Sequence, residues 1–289
     1  MSLPPPVANQ AFCNVSALEG GQVDIPLHFF ITRVKEDEIV TAPALAFIIQ
    51  HFQTKANFVF DLGIRHDVEK YPRIVLERIR NGPFFSKIAI DVPAFLEKGG
   101  LPPSEVTTVC LSHCHWDHAG DPSQFPNATF LTGVESRTLF NPGYPDDPDS
   151  GFDSNLLPAH RTRFLSPASW PPLGPFPRAL DFYGDGSLYI IDAPGHLPGH
   201  INVLARTSAD GGWIYLAADS MVDRRLLSGE AQMVEGSHRD TQAAEEHAGR
   251  IRKLVQENEK VRVMLAHDAG WYSENKGGSA FWPGKIPSL

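Results

Sequence analysis

Five short apolar runs, rich in β-branched and aromatic residues, punctuate this chain: NFVFDLG at 57–63, VTTVCLS at 106–112, SLYIIDAPG at 187–195, WIYLAA at 213–218 and VRVMLA at 261–266. Runs of this kind read as buried strands, and the polar residue that ends each one marks where the chain leaves its sheet. Those stops fall at Asp61, His113, His196, Asp219 and His267. Most of the strands therefore deliver a potential metal ligand at their carboxyl ends.

A different period occupies 240–260, where Ala244, Ala248, Ile251, Leu254 and Val255 share one helical face. Asp240 or Thr241 can cap this helix. Glu245 and Glu246 sit in its early turns and Arg250, Arg252 and Lys253 come later, in agreement with the helix dipole. A second helix is predicted over 92–99, stopped by Gly99-Gly100. Strands and helices alternate, so the class is α/β.

Between them, 141–177 is proline-rich and aperiodic, and it reads as a long loop of the kind that forms lids or binding walls. The first ten residues, with three consecutive prolines, read as a flexible arm. With no repeat and no low-complexity linker, residues 1–289 read as a single domain.

Composition narrows the function. Acidic residues outnumber basic ones 34 to 25, a formal charge of −9, and no Lys/Arg stripe offsets this, so nucleic acid is not expected as a partner. No apolar stretch is long enough to span a bilayer and the N-terminus does not resemble a signal peptide. Cys13, Cys110 and Cys114 form no disulfide framework. The expectation is a soluble cytoplasmic protein acting on a small molecule.

LSHCHWDHAG at 111–120 concentrates the candidate chemistry. Extended residues two apart point the same way, so His113 and His115 can grip one cation, while Asp117 and His118 follow as the chain turns and can face a second. Imidazole and carboxylate together suit zinc or a similar divalent ion. One segment cannot fill two sites, and the other strand ends supply the rest. His196 can complete the first, His267 the second, and Asp219 can bridge them.

With SHCHWDHAG, APGHLPGH, AADS and AHDAG in this order, the chain resembles the metallo-β-lactamase superfamily, and in its motif detail the N-acyl homoserine lactonase-like branch. The resemblance implies an αββα sandwich of two mixed sheets flanked by helices. It also implies two divalent metal ions, most naturally Zn2+, held by His113, His115, Asp117, His118, His196, Asp219 and His267. Hydrolysis would open a cyclic ester or cyclic amide by attack of a metal-bridging hydroxide, with Asp117 passing the proton to the leaving group. Lactonases of this branch carry a tyrosine three residues after the bridging aspartate, where this chain has Val222. Tyr272 is the candidate replacement.

Alternatives follow from the same resemblance: a γ-lactamase for an aromatic fused ring such as a benzoxazolinone, a thioesterase like glyoxalase II, and a non-catalytic metal-binding protein. A flavodiiron-like redox centre would favour an acid where His115 stands. His200 is expected to support the ligands rather than join them. Asp61 either orients a ligand histidine or ends a turn, and Cys114 is expected to be a buried thiol. His28, His51, His66, His160, His238 and His247 are assigned to surface or core, with His66 the one of interest. Trp116, Trp170, Trp271 and Phe152 are candidates for the wall of an apolar pocket.

Overall fold

A computed structural model describes residues 2–289. The amino-terminal half builds one sheet from β1 (Cys13–Pro26), β2 (Ile39–His51), β3 (Asn57–Phe60), β4 (Ser86–Lys87), β5 (Thr108–Cys110), β6 (Thr129–Gly133) and β7 (Thr162–Leu165), in the order β4-β1-β2-β3-β5-β6-β7. The second sheet contains β8 (Ala179–Asp181), β9 (Leu188–Asp192), β10 (Ile201–Arg206), β11 (Trp213–Leu216) and β12 (Val261–Met264), in the order β12-β11-β10-β9-β8. Both sheets are mixed. β3, β5, β6 and β7 run parallel, as do β11 and β12, whereas the remaining pairs are antiparallel.

Alternation along β2 shows why the sheets stack. Leu45, Phe47 and Ile49 join Phe58, Phe60, Ile190, Val203 and Leu216 in the layer between the sheets. Ala46 and Ile48 point the other way and pack with Val92 and Leu96. These last two lie on α2 (Val92–Lys98), which follows α1 (Arg73–Arg80) and is capped by the Asp91 carboxylate. On the opposite face, Ala244, Ala248, Ile251 and Leu254 pack with Leu204, Tyr215 and Val263 of the second sheet. They belong to α5 (Thr241–Glu257), whose Ala243 amide is capped by Asp240. Shorter helices complete the fold: α3 (Trp116–Ala119), α4 (Arg224–Ser228) and α6 (Ala269–Asn275). The result is the expected αββα sandwich.

Two expectations need correction. The segment 141–177 is not loop throughout, because Thr162–Leu165 forms β7 on the edge of the first sheet. Its residues are partly exposed and follow a proline-rich stretch, so they lack the apolar run that marks a buried strand. Residues 2–10 are not a free arm either. Leu3 is buried, its amide donates to Asn258 Oδ1 at 3.0 Å, and Arg206 Nη2 donates to the Pro4 carbonyl at 3.0 Å. Among the described residues no helix is long and apolar enough to cross a membrane.

Candidate metal centre and its pocket

All seven expected ligands meet where the strands end. Donor atoms of His113, His115, His196 and Asp219 form one cluster and those of Asp117, His118 and His267 a second, each within 4.8 Å. The segment after β5 supplies four of them, bending at Ser112 and reaching an extended His115 before it turns into α3. His196, Asp219 and His267 come from the second sheet, following β9, β11 and β12. Two backbone conformations aim them. Gly195 has φ +127° and lies so close to the Ala244 backbone that a Cβ would collide with it. Ala218 holds φ +42°, a left-handed conformation costly for a residue with a Cβ, immediately before Asp219.

Asp219 lies between the clusters. Its Oδ1 is 3.1 Å from His118 Nε2 and 3.3 Å from His267 Nε2, while Oδ2 is 3.4 Å from His196 Nε2 and 3.9 Å from His113 Nε2. One carboxylate thus presents an oxygen to each group.

Each of four histidines is fixed from behind on one ring nitrogen. His118 Nδ1 is 2.9 Å from Asp61 Oδ2, His267 Nδ1 2.8 Å from the Pro43 carbonyl, His113 Nδ1 2.9 Å from Ser112 Oγ, and His196 Nδ1 2.9 Å from His238 Nδ1. Such backing sets ring orientation and leaves the other nitrogen for a cation. For Asp61 this settles the role left open by its sequence: it orients a histidine. Its carboxylate also takes the amide and hydroxyl of Ser112, at 2.7 and 2.8 Å, with φ at +62°.

The donors fit a divalent cation. His113 Nε2 and His196 Nε2 lie 2.9 and 3.1 Å from His115 Nδ1, so three ring nitrogens converge in the interior. Burial and neighbouring imidazoles hold His113 well below its usual pKa, and burial depresses His196 and His115 as well. Neutral nitrogens facing one another cannot all be satisfied by shared protons, whereas a cation satisfies all three. In the second cluster burial alone would depress His118, but Asp219 and Asp61 outweigh it and raise its pKa well above the usual value. That carboxylate-rich surrounding suits positive charge. His118 Nε2 and Asp219 Oδ1 are buried without an aligned hydrogen bond, an orphaned pair that a divalent cation would satisfy.

Beneath Asp219 lies a polar network that sequence reading missed. Asn202 Oδ1 accepts from Tyr215 Oη and Ser220 Oγ, both at 2.8 Å, and lies 2.9 Å from His247 Nε2. Its Nδ2 donates to the Ala217 carbonyl at 2.9 Å, fixing the turn that carries Asp219. His238, assigned to surface or core, is buried, and its Nδ1 backs His196. His200 rests 5.1 Å from His113 between ring centroids, with Nδ1 3.0 Å from the Ala193 carbonyl. Among the others, His66 and His160 are exposed, His28 is half-buried, and buried His51 pairs with Asp185 at 2.8 Å. Cys114 is a buried thiol whose pKa is pushed up to about 12 by burial.

The clusters open into an inner cavity of about 200 Å³, whose apolar wall includes Val23, Ile25, Phe30, Phe84, Trp116 and Val222. It adjoins an outer groove of about 530 Å³, where Phe152 and α1 face the metal ligands. Phe152 lies nearly parallel to His115, 6.0 Å between centroids at 18°. Its loop holds its own shape. The Tyr144 amide donates to the Phe152 carbonyl at 2.7 Å, and the Ser154 amide returns to the Tyr144 carbonyl at 2.9 Å.

Trp116 and Phe152 therefore wall the pocket, but Trp170 and Trp271 do not. Both pack against the layer between the sheets, Trp271 5.6 Å from Phe281. Tyr272 is also corrected. In α6 it is turned into the core beside Phe281, with its hydroxyl 3.4 Å from Glu19 Oε2 and away from both cavities. Val222 lines the inner cavity with methyl groups only.

Residues 41–267 match the model of the metallo-beta-lactamase superfamily. The chain is 32% identical over 222 residues to Gamma-lactamase FDB1 of Fusarium pseudograminearum (strain CS3096), covering 72% of this chain and 53% of that protein. It is 35% identical over 118 residues to N-acyl homoserine lactonase AttM of Azorhizobium caulinodans, covering 39% of this chain and 40% of the other. The chain thus spans about half the length of the curated relatives it matches. In fold it is similar to an N-acyl homoserine lactone hydrolase solved with N-hexanoyl-L-homoserine at its catalytic metal centre. That match has a TM-score of 0.73 and 14% identity, covering 99% of this chain and 100% of that one.

Proposed function

The chain belongs to the metallo-β-lactamase superfamily, and from that membership we propose that it is a binuclear metal-dependent hydrolase that opens a cyclic ester or cyclic amide. The observation that carries the reading is the position of Asp219, with one oxygen toward each of two clusters of buried or half-buried imidazoles and carboxylates. His113, His115 and His196 would hold one cation, Asp117, His118 and His267 the other, with Asp219 common to both. Two divalent ions, zinc by the chemistry of these donors, would acidify a shared water and polarise the ring carbonyl.

The protein's own groups supply the rest. Asp117, which lines the inner cavity and has Oδ2 3.6 Å from His267 Nε2, can take a proton and deliver it to the leaving oxygen or nitrogen. Asp61, Ser112, His238 and the Pro43 carbonyl keep the ligand rings aligned. Within this class, an aromatic fused lactam or lactone is favoured over an acyl homoserine lactone. Val222 offers no phenol to the carbonyl, and the inner cavity is walled by Phe30, Phe84 and Trp116. The γ-lactamase relative points the same way.

The test is hydrolysis of phthalide, benzoxazolinone and an acyl thioester by zinc-loaded protein, with metal content measured on the same sample. Opening of one ring class, abolished in His115→Ala, is expected. Inertness toward both rings with two metals bound, or full activity in His115→Ala, would overturn the reading.

A further inference from the structure

Two arginines without an ion-pair partner among the described residues line the outer groove: Arg78 on α1 and Arg239 ahead of α5. Arg73, on the same helix as Arg78, differs in binding Asp149 at 2.9 Å. The acids that share the groove, Asp147 and Asp149, are already engaged. Asp149 is held by Arg73, and Asp147 Oδ1 accepts the Asp149 amide at 3.0 Å.

The two arginines are placed differently. Arg78 lines both the outer groove and the inner cavity, so it stands at the threshold of the metal clusters, whereas Arg239 lines the outer groove alone. Ser237 lines both spaces too, and its hydroxyl has no hydrogen-bond partner. Two exposed guanidinium-bearing side chains and one buried, unpartnered hydroxyl therefore border a route that is apolar at its inner end.

We propose that the substrate is a flat apolar ring carrying a carboxylate remote from the bond that is cleaved, the ring in the inner cavity and the carboxylate between Arg78 and Arg239. This rests on the hydrolase reading for the cleaved bond but stands on different residues. Guanidinium forks match carboxylates in geometry and charge, and a neutral amide of the same shape does not satisfy them.

The experiment compares binding of phthalide carboxylate, with the acid on the benzene ring, and phthalide carboxamide to the zinc-loaded protein by calorimetry. The acid is expected to bind about tenfold more tightly, the contrast shrinking at high salt. Each of Arg78→Gln and Arg239→Gln should reduce that ratio, the double variant should bring it to about one, and Arg78→Lys should restore part of it. Thermal melts verify that the variants are folded. Equal binding of acid and amide would overturn the inference. So would an advantage that survives in the double variant, since the acid would then sit on the metals. Turnover is read separately: if the binding contrast holds but neither ring opens, the hydrolase reading fails and the anion site stands.

Discussion

The floor and the rim of this pocket are built on different principles. On the floor, His113 and His118 are essentially inaccessible, His196, Asp219 and His267 nearly so, and nearly every ring is fixed by a second buried group. The rim is made from α1, the loop around Phe152 and the turn at 236–239, with Arg78, Arg239 and Asp149 exposed. The contrast teaches where each kind of requirement is met. Cation chemistry needs ligand atoms held within tenths of an ångström, so it draws on strand ends and buried networks. Substrate choice tolerates looser placement and is left to exposed segments.

Asp219→Ala should break the floor most severely, because it removes the one carboxylate that presents an oxygen to each cluster. Ring-opening turnover is expected to fall by about a thousandfold or more, with bound metal dropping below two per chain by elemental analysis. Retention of two metals and near-normal turnover would dissolve the distinction. Asp61→Asn leaves the seven candidate ligands in place, removes the charge behind His118 and turns one acceptor oxygen into an amide donor. Metal affinity measured by chelator competition should weaken by roughly 10- to 100-fold.

Phe152→Ala tests the rim. The expected effect is a loss of up to about tenfold in kcat/KM for an aromatic ring, with stability changed by about 0.5 kcal/mol or less. A large fall in Tm would show that the rim carries structural load. The smallest effect sharpens the picture of the floor's foundation. His247 lies under the Asn202 network, and burial lowers its pKa from 6.5 to about 3. Below pH 6.5 the unfolded chain binds a proton there that the folded chain refuses until about pH 3, so this contribution to stability is full above pH 6.5 and drains as pH falls. In His247→Gln the decline of Tm across that acid range should be shallower.

The same contrast explains what could be read beforehand. The clustering of the seven candidate residues was legible because His113, His196, Asp219 and His267 each follow an apolar strand, the other three follow His113 within five residues, and the motif order resembled a known family. His238, Asn202, Arg78 and Arg239 carry no such mark, since their roles arise only when distant segments meet. Tyr272 was misread because proximity in sequence to His267 says nothing of direction: α6 rotates the phenol into the core within a turn and a half. β7 escaped because an edge strand need not be continuously apolar.

Both ends of the Phe152 loop belong to one sheet edge. The chain departs after β6 and the turns that end at Phe140, and returns at Thr162 to pair with β6 again. Arg161 clamps the return by donating to the Phe125 and Ala128 carbonyls at 2.8 and 2.6 Å. Residues 141–161 therefore behave as a cassette, closed on itself and plugged into a fixed socket. A change of sequence within this insert would then alter one wall of the outer groove while leaving the strand ends beneath it in place.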